Sequence, residues 1–150
     1  PSDLGYADDG YDLPPFTVEH HTVDADHSEA NAAGMLFIDE ARTLQERRGA
    51  RRASISGRVT RCVERVNAEP GERWVIWCDL NAEQEALERA FGDDCYSVYG
   101  SLDIDEKERR LSAFIGGDRR VLVGKPSIFG WGINLQSVAR MAFVGVTDSW

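Results

Sequence analysis

Lys125-Pro126-Ser127-Ile128-Phe129-Gly130-Trp131-Gly132-Ile133-Asn134-Leu135-Gln136 is the stretch on which the reading of this chain turns. It follows a short apolar run, Val121-Leu122-Val123-Gly124, and precedes a second one from Met141 to Val146. Both runs read as strands. Glycines at 130 and 132 lack a Cβ and tolerate positive φ, so the backbone there can come close to a ligand or to another part of the fold. Open α/β sheets place their ligands in loops at the C-terminal ends of parallel strands. A Gly-x-Gly after a strand also fits a plain turn packed on the sheet, and the pattern alone does not separate the two.

Working outward, Trp74-Val75-Ile76-Trp77-Cys78 is a continuous apolar run, the pattern of a strand buried on both faces. Asn81 can cap a following helix, with Gln84 three residues on in capping-box spacing. Ala86, Leu87, Ala90 and Phe91 would form its buried stripe, and Gly92 stops it. Cys95 to Tyr99 reads as the next strand. Asp103 and Glu106 open a helix whose apolar side is Ile104, Leu111, Phe114 and Ile115, closed by Gly116-Gly117. Arg120 to Gly124 and Arg140 to Val146 complete the visible sheet. The order is strand, helix, strand, helix, strand, glycine loop, strand. That predicts an α/β fold with a mostly parallel sheet and flanking helices.

The first half is less regular. Asp9-Gly10 and Pro14-Pro15 forbid regular helix and predict an extended lead-in. Phe16 to Val23 alternates enough to predict an edge strand. Asp24 to Gly34 reads as polar loop. Residues 35 to 48 have helical character, then Gly49 and an Arg-rich turn lead to a second helix from about Ser54 to Asn67. Ile55, Val59, Cys62, Val63 and Val66 share one side of it at helical spacing. Pro70-Gly71 ends that run.

From Trp74 to Val146 this pattern resembles the second RecA-like domain of superfamily-2 helicases and translocases. Lys125 to Gln136 is similar to the fifth helicase motif in its phage-type and Swi/Snf-like form. Trp74 to Cys78 with the helix after it resembles the fourth motif. Tyr99-Gly100, the charged helix and Gly117 to Val123 resemble the segment between them. Leu13-Pro14 fits the linker that often enters this domain. The resemblance implies residues 1–33 as linker and edge strand, and 34–150 as an incomplete RecA-like domain with its core at 73–150. It implies ATP and Mg²⁺ as cofactors, held mainly by a first RecA-like domain, with DNA as the tracked partner. It also implies a cytoplasmic protein of a bacterial host, of phage or prophage origin.

The site residues follow from the same resemblance. Gly130, Gly132 and Asn134 match the part of the motif that faces ATP. Asn134 stands where many relatives carry aspartate, and asparagine is usual in the Swi/Snf-like branch. Lys125 and Ser127 match the start of the motif, where a threonine commonly holds a DNA phosphate; which of the two takes that role stays open. Gly100 and Ser101 would offer a backbone N–H and a hydroxyl to a phosphate, or simply form a strand-to-helix turn. Gln136 reads as a supporting residue. Trp131 is either a wedge against DNA or a plug against the core. Trp74 and Trp77 read as core or interface packing rather than base-stacking platforms.

Composition bounds the alternatives. At 150 residues the chain is one domain with room for a real core. No apolar run is long enough to span a membrane, and no signal-peptide pattern opens the chain. Pro1 stands where an initiator Met is expected, which reads as a processed product or an excised fragment, the fragment being favoured. Cys62, Cys78 and Cys95 lack CxxC spacing and read as free core thiols, not a metal site or disulfide frame. His20, His21 and His27 read as surface histidines. The net charge of −9 argues against a globally basic nucleic-acid binder. Yet Arg42, Arg47, Arg48, Arg51, Arg52, Arg58, Arg61 and Arg65 concentrate positive charge, either as a solvated helix face with salt bridges or as a basic edge.

The absences matter as well. No GxxxxGK[ST] cradle and no acidic metal-holding pair occur. The sixth motif of the resembled family, with its arginine finger, would lie beyond Trp150; losing such an arginine costs about 10³ to 10⁵ in rate. The chain alone is therefore expected not to hydrolyse ATP. An alternative of a different class is a non-catalytic helicase-like scaffold that binds protein partners, suggested by the acidic balance and the tryptophans. A dinucleotide-binding Rossmann domain fits poorly, because no GxGxxG opens the first βαβ unit.

Overall fold

A computed structural model describes residues 15–24, 44–130 and 133–146. Two helices, α1 (Leu44–Ala53) and α2 (Ile55–Asn67), precede β1 (Trp74–Trp77). Then follow α3 (Asn81–Phe91), a 3₁₀ turn, β2 (Cys95–Val98), α4 (Ile104–Ile115), β3 (Val121–Gly124), the single-turn helix α5 (Pro126–Phe129) and β4 (Arg140–Phe143). The four strands form one sheet in the order β2-β3-β1-β4. Every pairing is parallel, with Trp74 opposite Val121 and Arg140, and Cys95 opposite Val121. The fold is thus an α/β domain with a wholly parallel described sheet flanked by helices.

Parallel strands buried on both faces need apolar residues at every position, and β1, β2 and β3 are buried throughout. Their alternate residues feed two cores. Trp74, Ile76, Cys78, Val121 and Val123 meet Val59, Cys62 and Val66 of α2 and Leu87 and Phe91 of α3 on one face. Val75, Trp77, Tyr96, Val98 and Leu122 meet Phe114 of α4 and Phe129 of α5 on the other. A fully buried side chain such as Phe114 contributes about 1.5–3 kcal/mol. Trp77 stacks at a tilt on Phe129, centroids 4.8 Å apart. Both β1 tryptophans are core residues, 4 % and 6 % exposed.

The connections explain the two layers. From β1 the chain runs through α3 to the far edge strand β2, then returns through α4 to β3. Right-handed crossovers in opposite directions must pass over opposite faces of a sheet. Accordingly α3 packs on one face and α4 and α5 on the other. The loops after the neighbouring strands β1 and β3 therefore diverge to opposite faces.

Several expectations are corrected. Phe16 to Val23 forms no strand; it lies beside α2, where Glu19 pairs with Arg65 at 3.1 Å and His21 accepts a hydrogen bond from Arg61. Phe16 and Val18 remain exposed at 91 % and 56 %, so that segment's alternation meets no apolar face. Gly49 and the Arg-rich stretch are helical, within α1, and the break falls at Ser54. The cap of α3 is one residue early: Leu80 is N-cap, and Glu83, not Gln84, accepts the N–H groups of Asp79 and Leu80 at 2.9 and 3.0 Å. Gln84 is instead buried, donating to Ser97 Oγ and Val98 O at 3.0 Å each. Ala90, Ile104 and Ile115 are exposed rather than part of the buried stripes. β2 ends at Val98 and β4 at Phe143, short of Tyr99 and Val146. The expected helix before Leu44 lies outside the described residues.

Candidate nucleic-acid interface at the sheet rim

Because all described strands are parallel, every loop after a strand emerges at one rim. Where two neighbouring strands send their loops to opposite faces, a crevice opens between them, and open α/β sheets bind ligands there. In this chain that crevice lies between β1 and β3. One hydrogen bond spans it: Lys125 Nζ, just after β3, donates to Asn81 Oδ1, at the start of α3, at 2.7 Å. Pro126 occupies the first position of α5, where its missing N–H and fixed φ cost nothing. The motif therefore begins with a helical turn rather than an open loop, and Ser127 sits exposed on that turn.

Gly100 and Ser101 lie on the same rim, one strand further out. They form an exposed turn after β2, closed by Leu102 N–H donating to Tyr99 O at 3.2 Å. Ile128 of α5 comes next to it: a Cβ on Gly100 would stand 3.5 Å from Ile128 Cδ1. Gly100, Ser101, Lys125 and Ser127 are thus gathered on two adjacent loops. Lys107 joins them from the first turns of α4, donating its Nζ to Gly100 O at 2.7 Å. No motif singles out Lys107, which lies in a run of mixed charge, Asp105-Glu106-Lys107-Glu108-Arg109-Arg110.

Gly130 and Asn134, aligned with the nucleotide-facing part of the motif, are not gathered in the same way. Gly130 caps α5, and its N–H donates to Pro126 O at 2.7 Å. A Cβ there would fall far inside van der Waals contact of that carbonyl oxygen, so tight closure of the turn already accounts for the glycine. Asn134 is exposed and uses its Oδ1 locally, accepting the N–H of Gln136 at 3.1 Å in an Asx turn. Its amide NH₂ is left as a donor. Gly132 and Trp131 lie outside the described residues.

A second feature at the rim, over β1 and β4, corresponds to no motif in the sequence. Glu83, 1 % exposed, accepts a hydrogen bond from Arg58 Nη1 at 2.5 Å as well as the two backbone N–H groups of its cap. The same guanidinium donates to Val144 O, to Arg51 O at 2.6 Å and to Ser54 Oγ at 3.1 Å. Arg51 pairs with Asp79 at 3.3 Å. Gly145 lies against the carboxylate: a Cβ there would overlap Glu83 Oε2. An open cleft of ≈ 360 Å³ lies over this network, with Arg51, Ser54, Asp79 and Gly145 in its wall. The one trace of it in the sequence is Arg58 on the flank of the α2 stripe, between Ile55 and Cys62.

Charge is distributed unevenly between residue types. Arg51, Arg58, Arg61, Arg65, Arg109, Arg110, Arg120 and Arg140 all pair with carboxylates. Of the Arg-rich segment, the described pairs of Arg51, Arg58 and Arg65 bind α1 and α2 to their surroundings, whereas Arg61 pairs with Glu64 within α2. Arg119 and the already paired Arg110 guard the outer edge of β2, donating to Cys95 O and Ser97 O respectively, at 2.6 Å each. Glu106, held by Arg109 and Arg110, titrates well below the usual carboxylate range, at about 2. No helix among the described residues is long and apolar enough to cross a membrane. No protein-family model matches this chain, and no curated protein matches it in sequence.

Proposed function

We propose that this chain is the second motor domain of an ATP-dependent DNA helicase or translocase. It would supply part of a DNA-tracking rim and half of an interdomain ATP site. The observation that carries the reading is positional. Gly100, Ser101, Lys125 and Ser127, aligned with nucleic-acid-binding positions of the resembled family, lie on two adjacent loops at the ligand-binding end of a parallel sheet. Lys125 stands at the crevice itself, held by a neutral amide that leaves its charge uncompensated.

In this reading Lys125, Ser127, Gly100 and Ser101 hold phosphates of one strand. Such contacts fix register without reading bases. Gly130, Gly132 and Asn134 face the nucleotide, with ATP and Mg²⁺ bound mainly by the first RecA-like domain. Opening and closing of the cleft between the domains moves the rim along DNA. The test is ATP hydrolysis by this chain joined to that first domain, with and without DNA, beside this chain alone. DNA-stimulated turnover in the joined protein and none in the chain alone is expected; turnover unchanged by Gly132→Asp overturns the assignment.

One observation favours a second reading. Met141 and Phe143 of β4, on the face opposite α2 and α3, are 48 % and 62 % exposed, an apolar step suited to a protein partner. A joined protein that ignores ATP and DNA but loses a bound protein on Phe143→Ser would select this scaffold role. The β1 tryptophans do not support it, since both rings are buried.

A further inference from the structure

Only two of the 17 basic residues in this chain are lysines, Lys107 and Lys125, and both stand at the rim. Each places its Nζ 2.7 Å from a neutral oxygen, Gly100 O and Asn81 Oδ1 respectively. Among the described residues neither pairs with a carboxylate, whereas eight arginines do. The division of labour follows from the two side chains. The guanidinium fork suits fixed, bidentate pairing, whereas the ammonium is a compact point charge with three donors. With one donor spent on a neutral oxygen, each lysine keeps a full charge and two donors for an incoming anion. A neutral acceptor fixes the position of the ammonium without cancelling it.

We infer that Lys107 and Lys125 form a two-point phosphate clamp for one nucleic-acid strand, laid across the ends of β2, β3 and β1. Lys107 stands over the turn after β2, and Lys125 reaches from β3 toward β1. Neighbouring strands are about 4.8 Å apart, so β2 and β1, beside which the two lysines are anchored, are separated by roughly 10 Å along the rim. That span suits nearby phosphates of one strand, and Ser101 and Ser127 are exposed on the same two loops. Of the two acids that flank Lys107 in sequence, Glu106 is committed to Arg109 and Arg110, and among the described residues Glu108 forms no ion pair with Lys107. Lys107 is the addition: it lies on α4, the charged helix between the motifs, to which the resemblance gives no site residue. The inference rests on the reading that this rim carries nucleic acid.

The test is binding of a fluorescent oligo-dT to the chain, followed by anisotropy from about 50 to 200 mM salt. Removing one phosphate-binding charge should reduce the slope of log K against log salt by about 0.7 for a single strand. Lys107→Gln and Lys125→Gln should each produce that reduction, and Lys107→Arg should restore the slope. Because the chain has no other lysine, acetylation followed by mass spectrometry reads the rim without mutation, and oligo-dT should protect both residues together. A wild-type chain that binds no oligonucleotide overturns the underlying reading and the clamp with it. Binding whose slope falls with Lys125→Gln but not with Lys107→Gln, with Lys107 acetylated equally in both states, overturns the clamp alone.

Discussion

Two halves of the same rim are built to opposite plans. Over β1 and β4, Arg58 and Glu83 are closed into a network in which the guanidinium and the carboxylate meet each other, Ser54 and backbone groups. Over β2 and β3, Lys107 and Lys125 hydrogen-bond, among the described residues, to neutral oxygens and flank a turn that is exposed at Gly100 and Ser101. A charge taken out of water must be paired to be tolerated, whereas one left at the surface can remain available. The first half therefore holds α2, α3 and the end of β4 in place. The second keeps its charge available to a ligand. Position at the C-terminal end of a parallel sheet is shared by both; the state of the charges tells them apart.

The contrast can be broken most strongly on the closed side. Glu83→Ala leaves Arg58 without its carboxylate and strips two cap N–H groups of their acceptor, which should lower stability by about 3–5 kcal/mol in urea unfolding. Gly145→Ala forces a Cβ into the Glu83 carboxylate and should cost about 1–3 kcal/mol by the same measurement. On the open side, Lys107→Gln and Lys125→Gln should leave stability within about 0.5 kcal/mol of wild type. A large loss from either would show that these lysines brace the fold rather than wait for a ligand.

Asn81→Asp sharpens the comparison, because it converts the open side to the closed plan. An acid in the first turn of α3 should raise stability by about 0.3–1 kcal/mol through the helix dipole and its new pair with Lys125. The same change should weaken oligonucleotide binding, since the ammonium is then neutralised. Opposite signs in the two assays are the expected result. The smallest effect concerns pH. Glu19, Glu69 and Glu106 are carboxylates held below their ordinary value by arginine hydrogen bonds, Glu106 at about 2. Their folded-state values lie below the unfolded value, so their contribution is complete above about pH 5 and fades as pH falls toward 2. Solvent screening keeps it modest. Glu106→Gln should flatten part of that slope in acid titrations of stability.

The parallel α/β core was legible because its signals are local and redundant. Two four-residue apolar runs, Trp74–Trp77 and Val121–Gly124, and the run Cys95–Val98 with its single serine read as buried strands, and their alternation with amphipathic helices set the layer order. The capping of α3 was missed by one residue, since Asn81 is the usual N-cap residue type whereas Leu80 holds that place and Glu83 supplies the acceptor for the N–H groups of Asp79 and Leu80. Phe16 to Val23 misled because alternation predicts a strand only where an edge and an apolar face await it. At the site, the resemblance picked out Gly100, Ser101, Lys125 and Ser127, which do share one rim. It could not reveal Lys107 or Asn81, because both reach the rim through folding rather than through spacing. For Gly130 the sequence could not separate closure of a turn from approach to a ligand, and the turn alone suffices.

The three thiols have a use beyond packing. Cys62 in α2, Cys78 after β1 and Cys95 at the start of β2 are all buried, and burial pushes each up to about 12. None is therefore a reactive thiolate in the closed molecule at neutral pH. An alkylating reagent can mark them only when the surrounding structure opens, so site-by-site labelling rates act as three internal clocks. They time the release of the outer helix, the central strand and the edge strand separately, with no label or mutation introduced beforehand.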